Sequence, residues 1–160
     1  MTFKTPISVI FFVLIFTGST DSSSAQQTDY EELIESASQY YLRGNEIPDS
    51  ILLKMVPENY EEFDKYYETT GPDHKLGKTD FFYETTQWIF DKVIVEKNDS
   101  FYIPSLNLAS FADGEFAENF RENLLTIINM DNEKFCNSID DIKLNDRNPI
   151  KYYADKHKCK

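Results

Sequence analysis

Cys136 and Cys159 are the only two cysteines of the 160-residue chain, and their chemistry is the easiest to predict. They are far apart in the sequence, whereas metal-binding and redox pairs usually lie close together. In an oxidising compartment an isolated pair of this kind usually forms a disulfide. We therefore predict a disulfide between Cys136 and Cys159, and neither a metal site nor a reactive thiol.

Other side chains suited to catalysis are sparse. The chain has two histidines, His74 and His157, whereas a zinc site needs three or four His, Cys or carboxylate ligands. His74 lies in a polar segment typical of a loop, and His157 lies on the apolar face of the last predicted helix. There is no nucleophile-elbow motif and no glycine-rich phosphate loop. We therefore predict no catalytic, cofactor-binding or metal-binding residue, and we expect that the protein is not an enzyme.

The charge of the chain is strongly acidic, with 28 acidic and 16 basic residues and a formal net charge of -12. Such a surface repels phosphate backbones and anionic membranes, so nucleic acid is not expected as a partner. With so many carboxylates, a pair at catalytic spacing is more simply interpreted as a solvated acidic face. The segment 146–160 differs, because it carries Arg147 and four lysines. It favours charge pairing with the acidic body, with a separate docking patch as the alternative.

The N-terminus has the pattern of a secretory signal peptide. Lys4 is followed by an apolar run over 7–16, and then by small polar residues that end at Ala25. The run is about half of the ~20 apolar residues that a membrane-spanning helix needs. We therefore predict cleavage after Ala25, no membrane span, and a mature chain of residues 26–160 that is secreted as an extracellular protein.

One further motif, Asn98-Asp99-Ser100, is relevant because the chain is predicted to be secreted. This is an N-glycosylation sequon, and it lies in a polar stretch between two apolar segments. Asn98 is therefore predicted to carry a glycan where the producing cell glycosylates.

The mature chain is predicted to form a single, mostly α-helical domain, a bundle of about five to seven helices. Thr28 and Glu31 form a capping box before the first apolar stripe, and Arg43-Gly44 is a typical helix end. Asn59 and Asp131 are predicted N-caps of later helices. Segment 116–128 shows the widest apolar stripe, with charged residues opposite it.

Segment 92–104 leaves two structures open. Val93-Ile94-Val95 and 101–103 are rich in β-branched and aromatic residues, with the turn-like segment 97–100 between them. This pattern is typical of a short β-hairpin. The alternative is that the preceding helix, which starts near Asp80, continues to about Lys97.

Aromatic residues are the remaining distinctive feature, with 13 Phe and 10 Tyr. Three adjacent tyrosine pairs lie at 40–41, 66–67 and 152–153. Each pair should place one ring at the protein surface, where tyrosine is common in binding interfaces. The main functional hypothesis is thus a secreted, non-enzymatic binding or effector protein that acts on an extracellular protein partner through its surface. The alternative is a carrier that encloses a small apolar ligand between helices, in a cavity lined by Phe116, Phe120, Leu124 and Trp88.

Processing is the first testable consequence. The secreted protein should begin at Gln26 and should have lost two hydrogens to a Cys136–Cys159 bridge, apart from any glycan. Intact mass measured before and after reduction and deglycosylation checks both points. A retained N-terminus, or two thiols that react under denaturing conditions without reductant, would contradict the prediction.

Overall fold

The computed structural model of the protein describes residues 22–159, and the side chains of residues 30–159. The predicted signal peptide lies outside the described residues except for its last four, Ser22 to Ala25, which form the start of the first helix. The predicted cleavage at Ala25 therefore stays a prediction.

The described part of the chain is all helical, which confirms the predicted fold class. It contains eight α-helices, one more than the upper end of the expected range, joined by short loops and four 3-10 turns, and no strand. None of these helices is long and apolar enough to cross a bilayer. The helices are α1 Ser22–Leu42, α2 Asp49–Met55, α3 Tyr60–Tyr67, α4 Phe81–Ile94, α5 Tyr102–Ala109, α6 Ala117–Met130, α7 Asn132–Asn137 and α8 Ile150–Lys156.

Several helix ends lie where local chemistry places them, although α1 begins at Ser22, so the helix start predicted at Thr28 is wrong. After α1, Gly44 adopts a positive φ of 68°, and its N–H donates to the carbonyl of Tyr41, which ends the helix as a glycine cap does. The Asn59 side chain caps α3 by accepting from the Glu62 N–H at 3.0 Å. Asp131 caps α7 in the same way, accepting from the Lys134 N–H at 2.9 Å.

The hairpin considered for 92–104 is wrong. α4 ends at Ile94, the 3-10 turn Asp99–Phe101 follows, and α5 begins at Tyr102. The Asn98 side chain caps this turn by accepting from the Ser100 N–H, and Phe101 is fully buried. Burial on helical faces therefore overrides the strand preference of Val93 and its neighbours, and the long helix ends three residues earlier than the predicted Lys97.

An aromatic cluster holds the bundle together around Phe82, at the start of α4. The Phe82 ring lies 4.9 to 6.4 Å from the ring centres of six other aromatic side chains, most of them edge to face. These partners come from α3, α4, α6 and the turn before α6: Phe63, Tyr66, Tyr67, Tyr83, Phe116 and Phe120. Edge-to-face pairs add to the burial of apolar area, so this cluster links the two halves of the chain.

The C-terminal segment is fastened to the body at two places. Cys136 in α7 and Cys159 after α8 form a disulfide, with their Cα atoms 4.9 Å apart. The geometry fits the pairing expected from the sequence. The Arg147 guanidinium lies 3.7 Å from the ring centre of Tyr60 and 5.5 Å from that of Phe111, so the loop before α8 packs on the aromatic side of the molecule.

Removal of the Phe82 ring should strongly destabilise the fold. Phe82→Ala should lower the free energy of unfolding by about 3–5 kcal/mol, because a fully buried ring leaves a cavity that its neighbours fill only in part. Tyr152→Ala, at a ring that is 55% exposed, should change it by less than about 0.5 kcal/mol. Urea unfolding followed by circular dichroism measures both. Equal losses in the two variants would contradict the central place given to Phe82.

Candidate functional site

A surface groove of about 840 Å³ lies between the end of α1 and one side of α4. The segment that joins α1 to α2 closes one wall, and α4 forms the opposite wall. We call it the Trp88 groove, after the single tryptophan of the chain. Its lining residues are Tyr41, Leu42, Gly44, Asn45, Glu46, Ile47, Leu52, Glu84, Trp88, Asp91, Lys92, Val95 and Glu96.

The floor of the groove is apolar and partly aromatic. Ile47 and Leu52 are buried beneath it, whereas Tyr41 and Trp88 are half-buried and keep part of their rings accessible. The two rings lie 6.0 Å apart at an angle of 45°, and the Tyr41 ring also meets Phe81 edge to face at 5.2 Å. Because Phe81 belongs to the core, this contact anchors the floor to the body of the protein.

Two aliphatic side chains at the edges of the groove are exposed to solvent. Leu42, the last residue of α1, is 54% exposed, and Val95, directly after α4, is 69% exposed. A single exposed aliphatic residue is ordinary on a protein surface. Here the two border the same groove as a half-buried tryptophan, so accessible apolar side chains meet around one concave surface.

The spacing of residues along α4 explains how one helix serves both core and groove. Phe82, Ile89 and Val93 lie on the buried side and pack into the core. Glu84, Trp88, Asp91 and Val95 recur at steps of three or four residues, which places them in line on another side of the helix. The rigid packing of the buried side thus holds the groove-facing line in place.

The charge of the lining is strongly acidic. Glu46, Glu84, Asp91 and Glu96 contribute four carboxylates, and Lys92 contributes the one ammonium group. Three of these four carboxylates are exposed, so solvent screens them from one another in part. The groove therefore combines an apolar floor with a negative rim.

Lys92 offsets this rim only at one end, where its charge is paired with Glu46 and Glu96. Its Nζ lies 2.9 Å from Asp49 Oδ1, 3.1 Å from Glu96 Oε2 and 3.9 Å from Glu46 Oε1, and the side chain is nearly buried. Its hydrogen bond to Asp49 raises the pKa of Lys92 above its ordinary value, with burial acting against this and Glu96 supporting it. A raised pKa keeps the ammonium charged through the neutral range, so the ion pairs persist there and are lost only at strongly alkaline pH.

Hydrogen bonds of Gln87 order the Asp91 side chain of α4, and the Tyr41 hydroxyl on α1 stays protonated. The Gln87 Nε2 group donates to Asp91 Oδ1 at 2.8 Å, and Gln87 Oε1 accepts from Asn119 and Asn123 of α6 at 3.2 Å each. Burial raises the pKa of the Tyr41 hydroxyl, and the Glu84 carboxylate beside it acts in the same direction. Tyr41 is thus a neutral hydrogen-bonding group at neutral pH.

A separate cluster joins two tyrosines to one carboxylate on another part of the surface. The hydroxyls of Tyr67 and Tyr83 both donate to Glu115 Oε1, at 2.6 Å each. The bond to Glu115 raises the pKa of Tyr83 to about 12, and the two hydroxyls lower the pKa of the Glu115 carboxyl. The cluster fixes the turn before α6 against α3 and α4, and we assign it a structural role.

The residues singled out from the sequence lie in different places. Asn98 is partly exposed at the start of the 3-10 turn after α4, with its Nδ2 3.4 Å from Asp49 Oδ2, so the sequon borders the Lys92 ion pairs. His74 accepts from the Leu76 N–H through Nδ1 at 3.1 Å. His157 is the C-cap of α8.

Between residues 22 and 159, no group of three or more His, Cys, Asp or Glu side chains is placed to hold a metal ion.

The four residues suggested as the lining of a carrier cavity do not meet around one groove. Phe116, Phe120 and Leu124 are buried, and the two phenylalanines belong to the aromatic cluster. Trp88 lines the groove, whose lining contains none of the other three. In each tyrosine pair one member is more exposed than the other, and one of them, Tyr41, borders the groove.

Comparisons with protein-family models, with curated proteins and with solved structures gave no match.

Sequence reasoning missed most of the groove. It named Trp88 and Tyr41, but not Leu42, Val95 or the carboxylates around them. The signal was the line from Glu84 through Trp88 and Asp91 to Val95, in which acidic and apolar residues alternate on a side of α4 that does not enter the core. What the sequence could not show is that the end of α1 lies beside this line.

Proposed function

We propose that this protein is a secreted, non-enzymatic binding protein that engages an extracellular protein partner through the Trp88 groove. The observation that carries the proposal is that Leu42, Tyr41, Trp88 and Val95 line one groove, where solvent reaches them and no described part of the chain covers them. Surfaces of this kind, rimmed by polar residues, are typical of protein interaction sites.

The chemistry of the groove supports binding more than catalysis. A catalytic site needs a nucleophile or a general acid and base positioned by other groups. The described residues that line the groove include no His, Cys, Ser or Thr, and their one lysine, Lys92, is held in ion pairs. These ion pairs hold the surface in shape and charge, which suits recognition of a partner.

Secretion and the disulfide belong to the same proposal. The N-terminal pattern predicts export, and a bridge between Cys136 and Cys159 is stable in an oxidising environment. An extracellular location would also bring Asn98 to the glycosylation machinery during export. A glycan there would lie at the Lys92 end of the groove, outside its apolar floor.

A second candidate function is the carrier, because a groove of about 840 Å³ lies within the range of small-molecule sites. An apolar ligand would then lie on Tyr41 and Trp88 instead of between Phe116, Phe120 and Leu124. Native mass spectrometry of protein from its own source separates the two functions: a co-purifying small molecule would favour the carrier, and a protein would favour the proposed function.

Photo-crosslinking tests the proposed function directly. With p-benzoylphenylalanine at position 95, irradiation in the extracellular fluid of the source should give one specific protein adduct. The same amino acid at position 152, on α8, should not. Val95 and Tyr152 are both exposed, so the comparison separates the groove from surface exposure in general.

Competition makes this result specific. Excess unlabelled protein should suppress the adduct, and so should the Tyr152→Asp variant, whereas Leu42→Asp should be at least about tenfold weaker as a competitor. Leu42 and Tyr152 are 54% and 55% exposed, so neither change should disturb the core. Equal competition by the two variants, or no adduct specific to position 95, would overturn the proposed function.

A further inference from the structure

The charges around the Trp88 groove restrict what fits into it. We propose that its occupant is a basic, amphipathic segment of the partner protein, with apolar side chains on the groove floor and lysine or arginine side chains at the rim. This inference rests on the proposed function, and it adds the chemical class of the partner.

Charge complementarity is the first argument. Glu84 and Asp91 lie about one helical turn before and after Trp88, and all three residues line the groove. A cation held between them could also lie over the indole face, where the ring attracts positive charge. Lys92, the one lysine of the groove lining, does not fill this place, because its ammonium group is paired with Asp49 and Glu96.

The extent of the groove is the second argument. Glu84 and Val95 are eleven residues apart, which is a distance of about 16 Å along the helix axis. A small organic cation at Trp88 would leave Leu42 and Val95 in water. A segment of about three helical turns would cover both and would also reach the carboxylates, in the manner of a helix bound in a groove.

The rim also disfavours the lipid-like occupants that an apolar floor would otherwise accept. Phosphate and carboxylate head groups would meet Glu84 and Asp91 at close range, beside Glu46 and Glu96, whose charge Lys92 offsets in part. Like charges placed together across an interface oppose binding, and opposite charges speed association and set specificity. The same rim therefore selects for a basic partner and against an acidic one.

Peptide titration tests the inference with Trp88 as the reporter, since it is the single tryptophan of the chain. The probe is a tryptophan-free helical peptide of about twelve residues, with leucines on one face and lysines on both flanks. It should shift the Trp88 emission to shorter wavelength on saturation. A peptide in which glutamate replaces every lysine should bind at least about tenfold more weakly.

Matched variants locate the charge effect. Glu84→Gln combined with Asp91→Asn should weaken binding of the lysine peptide about fivefold, since each exposed pair contributes modestly. Asp140→Asn combined with Asp141→Asn removes the same charge from exposed residues between α7 and α8, and should change binding less than about twofold. Circular dichroism of all variants checks that the fold is retained.

The outcomes separate this inference from the proposed function. If the glutamate peptide or an uncharged leucine peptide binds as tightly as the lysine peptide, the basic partner is excluded while crosslinking at position 95 still stands. If the lysine peptide does not bind at millimolar concentration, or if both double variants weaken it equally, the inference is also overturned. If Leu42→Asp competes like Tyr152→Asp in the crosslinking experiment, the proposed function itself fails.

Discussion

The packing of Phe82 and the buried side of α4 against rings from α3 and α6 is the interaction on which the rest of the molecule depends. α4 contacts α2, α5 and α6, so it forms the centre of the bundle. Thr85 and Thr86, the buried polar residues of its first turns, donate to the carbonyls of Phe81 and Phe82. This bonding within the helix satisfies the two buried hydroxyls, so they can lie among the aromatic contacts without a desolvation penalty.

A helix fixed on one side presents a defined surface on the other. Trp88 and Val95 lie on a side of α4 that the core leaves partly open, and the end of α1 places Leu42 and Tyr41 beside it. The Lys92 ion pairs tie α4 to Asp49 at the start of α2, which holds the two walls of the groove together. The groove is therefore a consequence of how the core is packed, and its acidic rim reflects the composition of the chain as a whole.

Periodicity and capping residues were enough to predict the helical class and several helix ends, because Asn59, Asp131 and Gly44 act through contacts a few residues away. Segment 92–104 was ambiguous, since its β-branched residues favour a strand locally and only the burial of Phe101 and Leu106 in the bundle decides otherwise. The residues that line the groove come from two segments between Tyr41 and Glu96, and no local sequence pattern predicts which helices become neighbours. Trp88 could be named from the sequence, whereas its partners Leu42 and Val95 required the structure.

Quenching of Trp88 fluorescence is the most direct test of the central claim, that an open and acidic groove surrounds this residue. At matched ionic strength, caesium ions should quench Trp88 more effectively than iodide ions do, by at least about twofold after normalisation to N-acetyltryptophanamide, because the rim attracts cations and repels anions. The difference should become clearly smaller in the Glu84→Gln, Asp91→Asn double variant and persist in the Asp140→Asn, Asp141→Asn variant. Equal quenching by both ions in the unmodified protein, or a tryptophan that neutral acrylamide does not reach, would contradict the account.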